Sequence, residues 1–323
     1  MINIAIVGSG GMGSVHYYNF LKIKTCQVVA IIGASLKDEQ KAQEWNLKYY
    51  KSISDCVKDI NVDVIDICTP TFLHYNHVME ALQHKKQVIC EKPLTLKLKD
   101  AKNIFDCARK NGCNIYVGHV VQFMPQTKIL RELVASNKYG KVLDGDFERL
   151  SASPDWAVGG WLFDKSKSGL IPFDLHIHDL DLIISLFGRP DSYSFTKNGK
   201  DINNAEYYRF MYSYKDMNIV AEAGWLKACI PFTTSWKIYF EKGYLVNSNN
   251  SLKLYKDDGE IIQFDIEEKE VVSTGINVPP TGMYLSELKH FIDCTSRGIP
   301  SNIVSEDQIL KTIEILEDIN NKT

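Results

Sequence analysis

A glycine-rich loop between an apolar segment and a helical one constrains the fold of this chain more than any other feature of its sequence. Ile2–Val7 is a nearly continuous apolar run, as in a buried parallel strand, and Gly8–Gly13 follows with the spacing G-x-G-x-x-G. Gly8 permits a tight turn, Gly10 lets backbone N–H groups approach an anion, and Gly13 lets the next helix pack closely on the strand. This order predicts the first unit of a doubly wound α/β domain.

Strand and helix patterns alternate beyond this unit up to about residue 120. Thr95 is predicted to cap the helix that runs to Lys110, and Asn111-Gly112 to end it. The four further strands that we predict are Gln27–Gly33, Val62–Cys68, Gln87–Cys90 and Asn114–Gly118. Five strands separated by helices indicate a parallel sheet covered on both faces.

The pattern changes after Val120, where one helix and one strand lead into an irregular stretch. A strong helical pattern covers Pro172–Phe187. Short β runs separated by turn signals then extend to about Ile266, as in an antiparallel meander, and two helices close the chain. We therefore divide the chain into a dinucleotide-binding domain over 1–120 and a second, substrate-binding and oligomerisation domain of α/β character over 121–323.

Charge and hydropathy exclude several classes of partner. The 323 residues include 37 basic and 40 acidic side chains, and this net charge of −3 argues against nucleic acid or an anionic membrane as the main partner. No apolar run approaches the roughly 20 residues that span a bilayer. The N-terminus resembles no targeting segment, and the eight cysteines include no C-x-x-C pair. We expect a cytosolic protein with free thiols.

The glycine loop, in its place between strand and helix, predicts binding of a dinucleotide; the alternative is a glycine turn without a ligand. We assign the pyrophosphate to the loop backbone. The residues that we assign to cofactor binding are Gly8, Gly10, Gly11, Met12, Gly13, Ser35, Lys37, Thr69, Pro70, His74, Glu91 and Lys92.

The end of the second strand bears on the identity of the cofactor. The residue about 20 positions past the loop normally contacts the adenosine ribose, and an acidic residue there favours NAD. Here that residue is Gly33, and no carboxylate is expected beside the ribose. Ser35 and Lys37 are candidates to meet the 2′-phosphate, so NADP, or use of both cofactors, is predicted. The alternative is that Lys37 is simply solvated at a helix start.

Two further segments contain candidates for catalysis. Lys92 follows the fourth strand and precedes Pro93, so it should reach the crevice at the carboxyl edge of the sheet. Asp174 and His178 are four residues apart on the 172–187 helix and share a face, which allows the carboxylate to orient the imidazole for acid–base work. His176 points elsewhere, which disfavours a metal site in this cluster, and no metal is predicted. Polar residues satisfied locally at a helix start are the remaining alternative.

Taken together, these motifs resemble the glucose–fructose oxidoreductase/inositol dehydrogenase (Gfo/Idh/MocA) family over essentially the whole chain. The motifs that carry the resemblance are the glycine loop, Thr69–His74, Glu91–Pro93, 118–125, Ser168–Asp179, Tyr284–Phe291 and Val304–Leu310.

The resemblance implies an N-terminal Rossmann domain, a C-terminal domain with a large, predominantly antiparallel open sheet, and a homodimer or homotetramer. It further implies that His178 exchanges a proton with the substrate oxygen, that Lys92 polarises this oxygen, and that Asp174 orients both substrate and histidine. The chain departs from the family pattern at Gly33, at His176 and in a shortened glycine-rich stretch before the 172–187 helix.

The function implied is hydride transfer between NAD or NADP and a secondary alcohol or ketone of a sugar, an inositol or a nucleotide-sugar. Two alternatives stay open. The first is an NAD-dependent glycoside hydrolase of the same fold, and the second is a dinucleotide or sugar sensor without catalysis.

Overall fold

A computed structural model describes residues 1–154, 158–198, 205–268, 270–274 and 281–323. The chain forms two compact units, which are described separately. The first joins Met1–Phe123 with Glu268–Ile313, and the second joins Met124–Glu267 with Glu314–Thr323. Among the described residues, no helix has both the length and the apolar character needed to cross a bilayer.

The first unit contains a parallel sheet of six strands within its described residues. The strands are β1 (Ile2–Val7), β2 (Cys26–Ile32), β3 (Lys48–Tyr50), β4 (Val64–Ile67), β5 (Gln87–Glu91) and β6 (Ile115–Gly118). The helices between them are α1 (Gly11–Phe20), α2 (Leu36–Glu44), α3 (Ile53–Asp59), α4 (Thr71–Gln83) and α5 (Leu98–Asn111). The order β3-β2-β1-β4-β5-β6, with every pair parallel, confirms the predicted doubly wound sheet.

Local signals explain both the agreements and the errors in this unit. The strand β3 escaped prediction because it has only three residues and none of them is buried. Thr95 does not cap α5, because that helix begins at Leu98 and the Thr95 hydroxyl donates to the carbonyl of Lys97. Gly112 ends α5 as predicted, in the left-handed conformation with φ 66°.

A C-terminal segment completes the core of the first unit. The helix α9 (Met283–Arg297) buries Leu288 and Phe291 in the same apolar cluster as Phe20 and Tyr116. The rings of Phe291 and Tyr116 stack with centroids 5.4 Å apart. Glu268–Ile313 therefore group with the N-terminal unit, whereas the predicted division at residue 120 placed them in the second domain.

The second unit is built on a sheet of eight strands within the described residues. They are β7 (Val142–Ala152), β8 (Ser192–Asn198), β9 (Glu206–Tyr214), β10 (Met217–Leu226), β11 (Thr233–Phe240), β12 (Gly243–Ser248), β13 (Ser251–Lys256) and β14 (Ile261–Phe264). The order is β14-β13-β12-β11-β7-β10-β9-β8. β7 lies between β11 and β10 and runs parallel to β10, whereas the other pairs are antiparallel. The meander is thus interrupted by a strand from earlier in the chain.

Alternation along the strands places one face of this sheet in a core. Along β9, the buried side chains Tyr208, Phe210 and Tyr212 alternate with partly or fully exposed ones. The helices assigned to this part of the chain are α6 (Pro125–Ser136), the short α7 (Lys165–Ser168) and α8 (Ile177–Phe187). A final helix, α10 (Glu306–Asn321), begins in the first unit and ends in the second.

Candidate active site

The glycine loop has the geometry that its sequence predicts. Gly8 has φ 88°, a left-handed value that favours glycine. A Cβ atom on Gly13 would lie 2.0 Å from the Gly8 carbonyl oxygen, so a side chain there would separate the loop from α1. A Cβ on Gly10 would have no neighbour within 4 Å, and both Gly10 and Gly11 are exposed. The loop thus leaves open space at the start of a helix, where the unbonded N–H groups of a first turn attract an anion.

The loop lies at the point where the order of the sheet reverses. β1 pairs with β2 on one side and with β4 on the other, and ligands of doubly wound sheets bind at such a position. An added Cβ on Gly8 would lie 3.0 Å from Cγ2 of Thr69 and 3.2 Å from the carbonyl oxygen of Cys68. The structure therefore brings the predicted residue Thr69, which follows β4, beside the loop, and Pro70 is the next residue, at the start of α4.

A carboxylate that the sequence analysis missed lies between the glycine loop and the end of β2. Asp38 Oδ1 accepts hydrogen bonds from the backbone N–H and the hydroxyl of Ser9, at 3.0 and 2.7 Å. Its Oδ2 accepts from the backbone N–H and the hydroxyl of Ser35, at 3.1 and 2.6 Å. The premise that no carboxylate is available at this point of the fold is therefore wrong.

Ser35 and Lys37, predicted to meet a 2′-phosphate, occupy the start of α2. Ser35 is the N-cap of this helix, and its hydroxyl accepts from the N–H of Asp38 in a reciprocal capping box. Lys37 is exposed in the first turn. The hydroxyl of Ser35 is thus engaged by Asp38 in the structure.

His74 connects two of the loops at the carboxyl edge of the sheet. Its Nδ1 lies 2.7 Å from the carbonyl oxygen of Pro93, and its Nε2 lies 2.8 Å from that of Thr69. The ring is buried, and burial lowers its pKa although both carbonyls oppose this effect. Since both ring nitrogens contact the backbone, the geometry favours a positioning role for His74 over direct contact with a ligand.

Lys92 stands where the sequence places it, directly after β5. Its side chain is half-buried, its backbone N–H donates to Glu91 Oε2 at 3.2 Å, and the bond to Pro93 is cis. Glu91 is buried in turn and accepts a hydrogen bond from His16 Nε2 at 3.0 Å. Burial would raise the pKa of Glu91, but the hydrogen bond and the positive charge of His16 outweigh it, so the pKa is lowered. Glu91 thus connects the backbone of Lys92 to the buried His16 through hydrogen bonds.

The buried pair of His16 and Asp66 was not predicted from the sequence. His16 is fully buried, and its Nδ1 donates to Asp66 Oδ2 at 2.9 Å. Burial would lower the pKa of His16, but the charge of Asp66 raises it well above its usual value. His16, Asp66 and Cys68 form a group at metal-ligand spacing among the described residues. Both His16 nitrogens are already bonded to carboxylates, which explains the arrangement without an ion.

The segment containing Asp174 and His178 does not begin as a regular α-helix. Pro172–His176 forms a π-helical turn, and α8 starts at Ile177. A π turn is closed by hydrogen bonds from residue i to residue i+5, so this segment departs from the regular helix that the sequence predicts over 172–187. Both side chains are half-buried.

His176, by contrast, lies in the core of the second unit. Its ring is fully buried and stacks on Phe210 with centroids 3.8 Å apart, and its Nε2 lies 2.5 Å from the Tyr212 hydroxyl. Burial, and secondarily the charge of Arg149, lowers the pKa of His176 to about 3. His176 is thus a neutral residue of the core of the second unit.

An ion pair next to His178 anchors α8 to the sheet. Arg149 on β7 donates from Nε and Nη2 to the two carboxylate oxygens of Asp179, at 2.9 and 2.8 Å. Both side chains are buried, and this bidentate geometry holds the carboxylate firmly. Asp179 neighbours His178 in the chain, so the pair fixes the part of α8 on which the predicted proton-exchange residue stands.

The residues of the first unit fit a dinucleotide. The glycine loop offers an open backbone surface at a helix N-terminus, and Thr69 and Lys92 follow strands of the same carboxyl edge. The fold and this loop define a protein of the dinucleotide-binding class.

Comparisons with known proteins agree with this class. The model described as "Oxidoreductase family, NAD-binding Rossmann fold" matches residues 2–119, and the GFO/IDH/MocA C-terminal domain matches residues 127–246. The chain belongs to the Gfo/Idh/MocA family.

Two curated relatives are each 27% identical to this chain. One is the scyllo-inositol 2-dehydrogenase (NAD(+)) of Bacillus subtilis (strain 168), aligned over 67% of this chain and 61% of its own length. The other is the 2,7-anhydro-N-acetylneuraminate hydratase of Escherichia coli (strain K12), aligned over 58% and 50%. The chain thus spans between half and about three fifths of the length of these relatives.

Among solved structures, an oxidoreductase from Agrobacterium radiobacter, in complex with NAD+, L-tartaric acid and magnesium, superposes with a TM-score of 0.84 at 19% identity. The match covers 98% of this chain and 94% of that one. This likeness confirms the predicted two-domain fold class.

Proposed function

We propose that this protein is an NAD(P)-dependent oxidoreductase that interconverts a secondary alcohol and a ketone on a sugar, an inositol or a nucleotide-sugar. The observation that carries this proposal is the glycine loop at the reversal point of the sheet, with Lys92 directly after β5 at the same carboxyl edge. Membership of the family and the inositol dehydrogenase among its relatives support the reaction class.

The proposed roles divide between binding and proton transfer. When bound, a nicotinamide dinucleotide supplies or accepts hydride at C4 of its ring. Lys92 donates a hydrogen bond to the substrate oxygen and polarises it, and His178 takes or returns the proton of that oxygen. Asp174 orients the substrate and His178. In this proposal the buried Glu91, which accepts a hydrogen bond from the Lys92 backbone, helps to hold Lys92 in place. The Arg149–Asp179 pair does the same for His178.

Substitution of the two proton-handling residues tests the proposal. Lys92→Ala and His178→Ala should each lower turnover by roughly 10²–10⁴-fold, because general acid–base groups contribute about that much. Dinucleotide affinity should change much less in His178→Ala. Lys99→Ala is a suitable control, since Lys99 is exposed on α5. A screen of inositols, aldoses and nucleotide-sugars with both cofactors supplies the substrate, and unchanged turnover in both variants refutes the assignment.

A second candidate is favoured by the hydratase among the relatives, whose name describes no net redox reaction. If this chain catalysed such a reaction, a dinucleotide bound to it would show no net change of oxidation state over a turnover. A product that forms while no NADH accumulates in the ultraviolet absorbance would favour this candidate. A stoichiometric release of NADH would favour the dehydrogenase, and binding of sugar and cofactor without any product would favour the sensor.

A homo-oligomer in the cytosol remains part of the proposal. Tyr239, Tyr244 and Tyr255 pair directly across β11, β12 and β13, and each is at least 39% exposed, so they form an aromatic row. Such a row on a sheet suits contact with another copy of the chain. Light scattering after size-exclusion chromatography should show a dimer or tetramer, and Tyr244→Lys should shift it toward the monomer. A monomer in the unaltered protein would end this part of the proposal.

A further inference from the structure

We infer that the Asp38 carboxylate makes this protein discriminate against the 2′-phosphate of NADP(H), so that NAD(H) is the preferred dinucleotide. This inference rests on the proposed function and deepens it, since it concerns the same cofactor site. It also reverses the preference that the sequence at Gly33 suggested.

The first observation is the position of the carboxylate. In dinucleotide-binding domains the acidic residue that meets the adenosine ribose stands at the end of the second strand, which here is Gly33. A Cβ atom on Gly33 would lie 2.3 Å from Asp38 Cγ and 2.4 Å from Asp38 Oδ2. The carboxylate of Asp38 therefore occupies the space into which a side chain at position 33 would extend. Helix α2 supplies the negative charge that the strand lacks.

The second observation is that this carboxylate is fixed. Four donors from two loops hold it, namely the N–H and hydroxyl groups of Ser9 and Ser35. A carboxylate has about four lone-pair sites, so its hydrogen-bonding capacity is filled. It cannot swing aside for a phosphate without breaking the capping box of α2 and its contacts with the glycine loop.

The third observation concerns charge. Burial would raise the pKa of Asp38, but the hydrogen bonds from Ser35 and Ser9 outweigh it and lower the pKa, so the group is ionised at neutral pH. One of these hydrogen bonds comes from the backbone of the glycine loop itself. A fixed negative charge thus sits against the loop that receives the cofactor. The nearby Lys37 is exposed, and solvent screens its charge more than that of the half-buried Asp38.

These features predict a measurable discrimination. A phosphate monoester carries about −1.5 to −2 charges at neutral pH, and like charges a few ångströms apart in partly exposed surroundings repel each other enough to change a Kd roughly tenfold or more. NADH and NADPH differ only in this phosphate, so the ratio of their dissociation constants isolates the effect.

Calorimetric titration of the purified full-length protein with NADH and NADPH tests the inference without any substrate. The unaltered protein should bind NADH at least about tenfold more tightly. Asp38→Asn retains the size of the side chain and removes its charge, so NADPH should bind at least about tenfold more tightly than before while NADH changes less than about threefold. Equal affinities in the unaltered protein, or a preference for NADPH, overturn the inference. An unchanged NADPH affinity in the variant does so too.

The chain contains a matched control for the loss of the helix cap. Ser52 and Asp55 form the same Ser-x-x-Asp arrangement at the start of α3, with the Ser52 hydroxyl donating to Asp55 Oδ2 at 2.7 Å. Asp55→Asn removes the same kind of charge from the same helical position, and it should leave both dissociation constants unchanged. An equal effect in the two variants would assign the change to helix capping and overturn the inference.

A salt titration keeps the inference testable if Asp38→Asn does not fold. Screening weakens repulsion, so the ratio of the NADPH to the NADH dissociation constant should fall as sodium chloride is raised. A constant or rising ratio overturns the inference.

These binding measurements do not depend on turnover, so they distinguish failure of the inference from failure of the proposed function. If the protein binds NADH selectively but does not oxidise sugars, only the proposed reaction is rejected. If it catalyses the reaction with a preference for NADPH, only the role of Asp38 is rejected. Failure to bind either dinucleotide rejects both.

Discussion

Two histidines, one in each compact unit, are fully buried and yet differ in charge. His16 in the first unit lies between two carboxylates, and its pKa is raised well above the usual value. His176 in the second unit stacks on Phe210 and contacts the hydroxyl of Tyr212, and its pKa is lowered to about 3. Burial by itself favours the neutral form of both rings. The partners decide the outcome, because a nearby anion overcomes desolvation and an aromatic ring does not.

The comparison also separates two ways of building a core near a site. Around His16, the first unit places charged groups in direct contact, one of them the Glu91 that precedes Lys92. Around His176, the second unit uses neutral aromatic side chains behind the segment that holds Asp174 and His178. In the first case stability depends on charge pairing, and in the second it depends on shape and on one hydrogen bond. Substitutions at His16 and at His176 should therefore lower the free energy of unfolding by different amounts.

The largest effect is expected from His16→Leu, which leaves Asp66 and Glu91 buried without their positive partner. Removing one member of a buried ion pair costs about 3–5 kcal/mol. Urea denaturation should show a loss of this size in the free energy of unfolding, and His16→Gln serves as a milder variant if the first does not fold. A cost no greater than that of the corresponding substitution at His176 would contradict the contrast between the two cores.

A smaller effect is expected from His176→Phe. The substitution removes the imidazole that pairs with the buried Tyr212 hydroxyl, and leaving that hydroxyl unpaired costs about 1–3 kcal/mol. The double variant His176→Phe/Tyr212→Phe removes both polar groups and should regain part of this loss. Thermal denaturation of the two single variants and of the double variant measures the coupling. If the stability losses of the two single variants simply add up in the double variant, the hydrogen bond contributes nothing to stability.

The two rings should give opposite pH dependences of stability. His16 has a raised pKa, so its contribution is complete below about pH 6.5 and is lost as pH rises through the folded-state pKa. His176 has a lowered pKa, so its contribution is complete above about pH 6.5 and is lost as pH falls toward about 3. Each titration changes stability by up to about 1.4 kcal/mol per pH unit.

Unfolding free energies of the unaltered protein, His16→Gln and His176→Phe across this pH range measure the two slopes. The first variant should remove the loss at alkaline pH, and the second should remove the loss at acidic pH. Identical pH profiles in all three proteins would mean that neither ring changes its affinity for protons on folding.

The smallest effect is expected at Glu287, a buried carboxyl of the first unit with no hydrogen-bond partner on either oxygen among the described residues. Burial, and secondarily the charge of Glu91, raises its pKa well above the usual value. The unaltered protein therefore loses stability as pH rises above about 4.5, where the unfolded chain ionises. Glu287→Gln should be more stable by roughly 1 kcal/mol at about pH 8. If the stability gain of Glu287→Gln is as large at about pH 5 as at about pH 8, the Glu287 side chain of the folded protein is already ionised at about pH 5.

The parts of the site that could be predicted are those whose signal is local. The glycine loop lies within six consecutive residues, and Lys92 is recognised from its place after a short apolar run. Parallel topology brings the ends of β1, β4 and β5 to one edge, so the neighbourhood of Gly8 and Thr69 follows from the order of strands and helices.

The parts that escaped prediction depend on residues far apart in the chain or on backbone detail. Ser9 and Asp38 are 29 positions apart, His16 and Asp66 are 50 apart, and His16 and Glu91 are 75 apart. A pairing rule based on spacing cannot find such contacts. The π turn at Pro172–His176 is equally invisible, because it changes the number of residues in a turn without changing the apolar pattern.

The sequence by itself therefore determined the class of fold, the dinucleotide loop and the strand end that carries Lys92, since period, glycine spacing and strand order act over short distances. Tertiary structure alone decided the charge of the two buried histidines and the source of the carboxylate beside Gly33. These depend on which side chains meet after the chain has folded. An ionisable group responds to its neighbours in space, and the chain brings those neighbours from remote positions.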